Sequence, residues 1–278
     1  MPWLPELFSA PALQQILDER RRDELLAVPY FDGLLAGDPD PLVESFAGEP
    51  EVHDPVRGRI KGVRAFRAYV GETSAWLREH RAGVEDIDHV IGDERGFEDV
   101  LLHVDGEGGA DGLPVAIVAD RRPDGRIDEL RLYYAGGSGA GTGSVRAPLL
   151  QLDPELQEPD AVAAYVSGFN AGDVDAVVAS FEPDGSVREA DGRLVHRGPA
   201  DLRSYYDEML SAGNGAVIEA CALVDDGRAC ALEYNVAAWG RTELAPQAGI
   251  AVYVRGDSGR LAAARIYDDV DPPLGPAA

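Results

Sequence analysis

The sequence predicts two α+β domains of one architecture, arranged in tandem. The segment from Tyr30 to Asp54 recurs from Tyr165 to Glu189 at a constant offset of 135 positions. In each copy, helical spacing comes first and a run of strands follows, which favours an antiparallel sheet covered on one face by helices. A repeat this long is well above solenoid periods, so each copy is expected to have its own core. We place the two domains at residues 27–135 and 159–278.

Two segments are predicted outside these domains. Residues 1–26 form an N-terminal helical arm, because Leu13, Ile16 and Leu17 share one side of a helix while charged residues take another. Residues 136–158 form a linker, which starts with a run from Gly136 to Ser144 that holds no side chain larger than threonine. Such a composition is typical of a flexible tether.

The order of elements is the same in both copies. A helix ends at an Ala-Gly-Asp turn, at Gly37 and again at Gly172, where glycine suits the C-terminal cap and the following aspartate can cap the next helix. A short second helix leads to a brief strand that ends at Asp54 or Glu189. A glycine-bounded loop, a third helix and three strands with tight acidic-glycine turns complete each copy.

The later part of the repeat matches with a slip of one residue. The third helices are predicted over residues 62–77 and 198–210, with Tyr69 answering Tyr205. The closing strands match as well, because Arg131-Leu132-Tyr133 answers Arg265-Ile266-Tyr267. Two equivalent halves therefore share one polypeptide.

Composition excludes several classes of partner. The formal net charge is −25, so nucleic acid and anionic membrane surfaces are not expected partners. No apolar run approaches the roughly 18 residues that a membrane span needs, and the N-terminus lacks a basic flank ahead of an apolar stretch. A cytoplasmic location is the default expectation. Cys221 and Cys230 flank an Asp-Asp-Gly turn and are expected to be buried free thiols on one hairpin.

The most informative repeated residues are a tyrosine and a carboxylate. Tyr30 lies on the first predicted helix and Asp54 on the first strand, and Tyr165 and Glu189 repeat this spacing. A helix over a curved sheet can bring both groups to one cavity, where the hydroxyl donates to an oxyanion and the carboxylate moves protons. In the structural alternative, the tyrosines are core aromatics and the acids are exposed charges at strand ends.

The pattern Tyr-x7-Asp-x15-Asp/Glu, with its Ala-Gly-Asp turn, resembles the ketosteroid isomerase, SnoaL-type cyclase and limonene epoxide hydrolase group of the nuclear transport factor 2-like (NTF2-like) superfamily. The resemblance implies two tandem cone-shaped α+β barrels with deep, mostly apolar pockets, paired through their sheets as a pseudodimer; a homodimer of the whole chain is a further possibility. It implies that Asp54 and Glu189 shuttle protons and that Tyr30 and Tyr165 donate to an oxyanion. The isomerase's second oxyanion donor would fall near Ile117 and Ala251, which are apolar, so a steroid isomerase is not expected.

Strand alternation predicts which further residues line the pockets. The second pocket is expected to hold the richer polar set, and we expect it to be the working one. The candidate residues of the second pocket are Tyr165, Glu189, Glu233, Asn235, Trp239, Ile266 and Asp268. The candidate residues of the first pocket are Tyr30, Asp54, His103 and Tyr134. As an alternative, Glu233 or Asp268 pairs with an arginine as a structural ion pair.

These residues favour acid/base chemistry that needs no cofactor, on a small and largely apolar metabolite. Isomerisation, cyclisation or dehydration is the first hypothesis, and the hydrolysis or cyclising opening of an epoxide is the close rival. A ligand-binding module without catalysis is the alternative from another class, because fold resemblance alone does not carry activity. The five histidines have no spacing that predicts a metal site, and no phosphate loop or serine nucleophile motif is present.

Overall fold

The computed structural model describes residues 30–104, 112–134, 146–190, 192, 194–210, 215–239 and 242–267, with the backbone alone at 32 and 242–245. The predicted N-terminal arm, the start of the linker and Asp268 lie outside the described residues. The boundaries proposed for the two domains stay a prediction.

In the described residues, the first half of the chain forms three helices and six strands. In chain order these are α1 (Tyr30–Ala36), α2 (Pro39–Glu44), β1 (Glu51–Asp54), β2 (Gly58–Lys61), α3 (Val63–Glu79), β3 (Gly83–Ile91), β4 (Arg95–His103), β5 (Leu113–Arg121) and β6 (Ile127–Tyr133).

The second half repeats this order. Its elements are α4 (Asp160–Ala171), α5 (Val174–Ala179), β7 (Phe181–Arg188), β8 (Val195–Arg197), α6 (Gly198–Met209), β9 (Ala216–Asp225), β10 (Ala229–Trp239), β11 (Thr242–Arg255) and β12 (Leu261–Ile266).

Each half has its own six-stranded sheet, and the two sheets have the same strand order. The orders are β2-β1-β6-β5-β4-β3 and β8-β7-β12-β11-β10-β9. The first strand of each half runs parallel to the last, and the other neighbours are antiparallel. The sequence prediction of three closing strands is wrong, because four strands follow the third helix in each half. A further short strand, β2 or β8, lies where the sequence suggested a loop.

The Ala-Gly-Asp turns have the predicted caps. Gly172 ends α4 in the left-handed conformation at φ 68°, which glycine adopts without a steric cost. The side chain of Asp173 accepts a hydrogen bond from the amide of Ala176 at 3.0 Å and so caps α5. Gly37 has the same left-handed backbone at φ 72°, and Asp38 caps α2.

Both faces of each sheet are buried, against different partners. On one face, the helices of the same half pack against the strands and form that half's own core. On the other face, the two sheets meet in a third apolar cluster, to which Val90, Phe97 and Val118 contribute from the first half and Val224 and Ile250 from the second. The predicted pairing of the halves through their sheets is therefore confirmed within this chain.

An arginine and a tyrosine of β6, an interior strand of the first sheet, bind a carboxylate of the second sheet. Nε of Arg131 lies 2.6 Å from Oε1 of Glu233 and Nη2 lies 2.8 Å from Oε2. The hydroxyl of Tyr133 donates to the same Oε1 at 2.7 Å. Although burial by itself lowers the pKa of Arg131, Glu233 and Asp120 raise this pKa above its ordinary value, so the side chain is fully charged.

The reverse contact repeats this arrangement. Nη1 of Arg265 lies 2.9 Å from Oδ2 of Asp99 in β4, and the hydroxyl of Tyr267 bonds the same carboxylate. Arg188 approaches Oδ1 of Asp99 at 3.3 Å. A pair of contacts in which each side offers the same kinds of groups to the other is the pattern of an isologous interface, here inside one polypeptide.

Candidate functional site

The first domain assembles a buried carboxylate with three tyrosines. Asp54, at the end of β1, is 5% exposed. The hydroxyl of Tyr134 donates to it at 3.1 Å, and the hydroxyl of Tyr69, from α3, donates to its Oδ2 at 3.1 Å. Tyr30, on α1, shares a hydrogen bond with the hydroxyl of Tyr69. Three of the four groups predicted for the first pocket, Tyr30, Asp54 and Tyr134, thus belong to one hydrogen-bonded network.

The backbone holds Asp54 from the other side. Its Oδ1 accepts the amide hydrogens of Val56 at 2.9 Å and Arg57 at 2.8 Å, which fixes the turn between β1 and β2. The carboxylate is therefore oriented by its own turn and faces the hydroxyls with its remaining lone pairs.

Burial keeps the three hydroxyls protonated. Desolvation is the largest cause that raises the pKa of Tyr30, Tyr69 and Tyr134 above the ordinary tyrosine value, and the nearby charge of Asp54 adds to it in each case. A neutral hydroxyl beside a carboxylate is a hydrogen-bond donor over the whole physiological pH range. The network can thus offer donors and one acceptor at a single place.

An apolar cavity lies beside this network. Its lining includes Tyr30, Leu42, Phe46, Phe66 and Leu130, and its volume is about 10 Å³. That volume suits a single water molecule.

In the second domain, Tyr165 and Glu189 have partners of different kinds. Tyr165 is 3% exposed, and its hydroxyl accepts a hydrogen bond from Tyr206 of α6 at 3.0 Å. Its ring packs against Phe169, Phe181 and Tyr253, with centroid distances of 5.1 to 5.9 Å. Tyr165 is therefore part of an aromatic core.

Glu189 binds a histidine instead of a tyrosine. Its Oε1 lies 2.8 Å from Nε2 of His196 in β8, and the two side chains are 28% and 18% exposed. Nδ1 of His196 lies 3.5 Å from Oδ1 of Asp201, and the imidazole stacks on Tyr205 at a centroid distance of 4.2 Å. The carboxylate at the position of Asp54 thus has a partner of different chemistry.

Comparison with protein families finds a match in the second half of the chain. Residues 162–264 match the SnoaL-like domain family. We refer to this half below as the SnoaL-like domain, after the family that it matches. Together with the two matching sheets and their helices, this confirms the predicted NTF2-like α+β fold. Sequence comparison with curated proteins gives no significant match.

Solved structures of similar fold each align with about two fifths of the chain. A predicted polyketide cyclase from Sinorhizobium meliloti is 26% identical, with 39% of this chain and 94% of that protein covered and a TM-score of 0.34. An epoxide hydrolase/cyclase-like enzyme, SalBIII, described for pyran ring formation in the polyether salinomycin, is 23% identical, with 41% and 91% covered and a TM-score of 0.33. A SnoaL-like protein of unknown function from Burkholderia thailandensis is 18% identical, with 40% and 98% covered and a TM-score of 0.33.

Two residues predicted for the pocket of the SnoaL-like domain lie on the opposite face of its sheet. Glu233 is 2% exposed and binds Arg131 and Tyr133 of the first domain. Asn235 shares that face, as expected, and its Nδ2 donates to the carbonyl oxygen of Leu150 at 3.1 Å. Their predicted position in the pocket is wrong, because alternation along β10 directs both toward the first domain. The structural alternative for Glu233 holds, with Arg131 as its arginine.

The other predicted residues have mixed placements. Ala264 and Ile266 of β12 pack into the core of the SnoaL-like domain, whereas Arg265 points to the first domain, as alternation predicted. Trp239 lies in the same core, and its Nε1 donates to the carbonyl oxygen of Met209 at 3.4 Å. His103 does not line the first pocket, because it is an exposed residue at the end of β4 with Nε2 2.9 Å from Oε2 of Glu85.

Sequence reasoning missed two residues that contact the candidate carboxylates. Tyr69 binds both Tyr30 and Asp54, and the repeat had already paired it with Tyr205. In the SnoaL-like domain two neighbouring tyrosines make the corresponding contacts. Tyr206 binds Tyr165, and Tyr205 packs on His196. The repeat could have drawn attention to His196, because this residue takes the position that Ile60, a core residue, has in the first half.

A group of possible metal ligands lies near β1. One atom each of Glu51, His53 and Glu129 lies within 4.8 Å of the others. Arg59 and Lys61 bind Glu51, and Arg131 binds Glu129, so cations of the chain already neutralise these carboxylates. The group therefore fits an ion-pair network better than a metal site.

Among the described helices, none is long and apolar enough to cross a membrane.

Proposed function

We propose that this chain is a cofactor-independent acid/base enzyme that acts on a small, largely apolar carbonyl compound, with Asp54 as the proton acceptor. The observation that carries the proposal is the buried Asp54 carboxylate with the hydroxyls of Tyr69 and Tyr134 bonded to it. A carboxylate and neutral donors at one apolar place are the two components that proton transfer next to a carbonyl needs.

The reaction follows from these two components. A substrate carbonyl oxygen takes over a hydrogen bond from Tyr134, and Asp54 removes a proton from the neighbouring carbon. The C–H electron pair moves into the carbon–carbon bond, and the negative charge that develops on oxygen is stabilised by the hydroxyl. When the enolate is conjugated with a carbon–carbon double bond, return of the proton from Asp54 to the far carbon completes an isomerisation. Attack of the enolate carbon on a second carbonyl of the same molecule gives a cyclisation, in which the proton on Asp54 passes to the new alkoxide.

The first domain fits this chemistry better than the second, against our expectation from sequence. Asp54 is 5% exposed and bonded to tyrosines, whereas the Glu189 side chain is 28% exposed and bonded to His196. Water exclusion strengthens hydrogen bonds to a developing oxyanion, which favours the more deeply buried site. The substrate identity and the choice between isomerisation and cyclisation stay open to experiment.

A ligand-binding or scaffold role without catalysis is the second candidate. Two observations favour it: the cavity that Tyr30 lines is about 10 Å³, and Oδ1 of Asp54 already accepts the amides of Val56 and Arg57 and the hydroxyl of Tyr134. In that case Asp54 and its tyrosines stabilise the fold, and their removal changes stability without changing any rate.

Exchange of a carbon-bound proton distinguishes the two roles. The probe is 2-tetralone, a neutral ketone with acidic α-hydrogens, in D2O, and deuterium incorporation is followed by NMR above the buffer rate. Loss of a positioned base costs about 10²–10⁴-fold in rate, so Asp54→Asn should lower the exchange rate by that factor. Glu189→Gln is the matched control, because it neutralises the equivalent carboxylate. An exchange rate at buffer level in the wild type, or an undiminished rate in Asp54→Asn, would disprove the proposal.

Epoxide opening is tested with a different probe. Cyclohexene oxide in ¹⁸O-labelled water gives a labelled trans-diol when an enzyme directs water to one epoxide carbon. If diol forms and depends on Asp54 while 2-tetralone does not exchange, Asp54 activates water for epoxide opening instead. This outcome would support Asp54 as the functional residue but assign it epoxide opening instead of proton transfer next to a carbonyl.

A further inference from the structure

The turn between β1 and β2 carries an arginine that contacts the Asp54 network in two ways. The backbone amide of Arg57 donates to Oδ1 of Asp54 at 2.8 Å. The guanidinium of the same residue lies over the ring of Tyr69, with Cζ 5.5 Å from the ring centroid. Tyr69 in turn donates its hydroxyl to Oδ2 of Asp54 at 3.1 Å. Arg57 therefore contacts one carboxylate oxygen directly and the other through a tyrosine.

A glutamate of α3 holds the guanidinium in this place. Nη1 of Arg57 lies 2.5 Å from Oε2 of Glu72, which follows Tyr69 by three residues on the helix. Residues three apart on a helix are neighbours on its surface, so the arginine extends along α3 from the ring to the carboxylate. The side chains of the ion pair are 38% and 66% exposed, whereas Tyr69 is 4% exposed. The guanidinium thus connects the protein surface to a buried tyrosine.

The charge of Arg57 acts on Tyr69 through the ring. A cation over the face of an aromatic ring is attracted by the electrons of that face, which favours one orientation of the ring. The same charge lowers the pKa of Tyr69, against the larger rise that burial causes. Because the cation favours negative charge near the hydroxyl oxygen, it strengthens the hydrogen bond that the hydroxyl donates to the carboxylate of Asp54.

We propose that Arg57 is a positioning residue for the base, which orients both oxygens of Asp54 without touching the substrate; this inference rests on the proposed function of Asp54. A base removes a proton efficiently only when it is aimed at the C–H bond, and a displacement of about 1 Å can cost about 10²-fold in rate. Arg57 fixes the carboxylate at Oδ1 through its amide and at Oδ2 through Tyr69. Glu72 keeps the guanidinium over the ring.

The kinetics of 2-tetralone exchange in the full chain test this role. Arg57→Gln should lower kcat by about three- to thirtyfold and change KM less than about twofold, because cation–π contacts correspond to rate factors of that size. Arg57→Lys keeps a cation and should recover part of the loss, and Glu72→Gln should reproduce part of it. Arg67→Gln is the control, since it removes an exposed ion pair between the same helix and Asp40 of α2. Equal kcat in Arg57→Gln and Arg67→Gln, or a loss that lies in KM alone, overturns the proposal.

A spectroscopic measurement separates this role from the proposed function. In a chain labelled with ¹³C at the tyrosine rings, the Cζ resonance of Tyr69, assigned with Tyr69→Phe, reports the hydrogen bonding of its hydroxyl. The resonance should move in Arg57→Gln, return toward the wild-type position in Arg57→Lys and stay in place in Arg67→Gln. This response in a chain that does not exchange 2-tetralone would contradict the proposed function and still support the orientation of Asp54 by Arg57. An unmoved resonance in Arg57→Gln overturns the inference whatever the exchange rate.

Discussion

Arg131 and Glu233 join the two sheets through a bidentate ion pair in which both side chains are almost fully buried. The Nε–Oε1 and Nη2–Oε2 distances are 2.6 and 2.8 Å, and the two residues are 0% and 2% exposed. Arg265 and Asp99 repeat the pairing in the opposite direction. The two ion pairs therefore cross between the sheets at equivalent positions of the two halves.

We expect Arg131→Met to lower the free energy of unfolding by about 3–5 kcal/mol, because removing one partner of a buried pair leaves the other charge without compensation. Glu233 would keep the hydroxyl of Tyr133 and the more distant Nε of Arg95, at 3.8 Å, but lose both bonds to the guanidinium of Arg131. Urea denaturation measures the change. Arg122→Met is the control, since it removes an exposed ion pair with Asp128, worth about 0–1 kcal/mol.

A double-mutant cycle tests whether the cost belongs to this pair. Arg131→Met combined with Glu233→Leu should cost less than the sum of the single changes, because the double variant leaves no uncompensated Glu233 charge. Additive losses would show that Arg131 stabilises the interface mainly through Asp120 and Glu129, which it also contacts.

The sequence predicted the repeat, the caps and the facing of β12, because each depends on local spacing. Strand alternation separates Ile266 from Arg265 but does not say which face is the pocket. On β12 the apolar and charged residues made that choice clear. On β10 both faces are buried, so the polar Glu233 resembled a pocket residue although it serves the contact between domains.

The candidate site in the first domain was partly predictable for the same reason. Tyr30 and Asp54 stood out because the spacing is repeated in Tyr165 and Glu189. The structure keeps them in one network through Tyr69, which bridges the two. In the second domain, Tyr206 binds Tyr165 and Tyr205 packs on His196, which takes the place equivalent to Ile60.

The buried tyrosines should make the fold sensitive to high pH. Burial is the largest cause that raises the pKa of six tyrosines: Tyr30, Tyr69, Tyr133, Tyr134, Tyr206 and Tyr267. Their folded-state pKa values exceed the unfolded value of about 10, so their contribution to stability is fully present below that pH and is lost as the pH rises above it.

We therefore expect these six tyrosines to ionise together with alkaline unfolding. Ultraviolet absorbance reports tyrosinate, and far-ultraviolet circular dichroism reports the fold over the same pH series. Tyrosinate signal from Tyr30 or Tyr206 near pH 10 in a still folded chain, tested with Tyr→Phe variants, would contradict the burial that we describe.

Tyr134→Phe should lower the exchange of 2-tetralone while leaving the fold intact. The substitution keeps the ring and removes the hydroxyl that donates to Asp54 at 3.1 Å. Loss of one donor to a developing oxyanion costs about 10²–10³-fold in rate. Tyr165→Phe is the control, because that hydroxyl pairs with Tyr206 in the aromatic core of the other domain. Equal rates in both variants would show that Tyr134 does not act on the substrate.

Arg146 connects the first site to the second domain, and its replacement should loosen that site. Its Nη2 donates to the carbonyl oxygen of His53 at 2.9 Å, and its Nη1 donates to that of Leu132. These carbonyls lie on β1 and β6, beside Asp54 and Tyr134. Its own carbonyl oxygen accepts the amide of Ala248 in β11 at 3.0 Å.

Lysine at position 146 keeps the charge but lacks the planar fork that reaches two carbonyls at once. Since a displacement of about 1 Å can cost about 10²-fold in rate, Arg146→Lys should lower kcat for exchange by about ten- to a hundredfold with little change in KM. Amide hydrogen exchange should rise in β1 and β6 and stay unchanged in β7. If the amides of β1 and β6 exchange faster while kcat is unaltered, Arg146 supports the strands without positioning Asp54 and Tyr134 for catalysis.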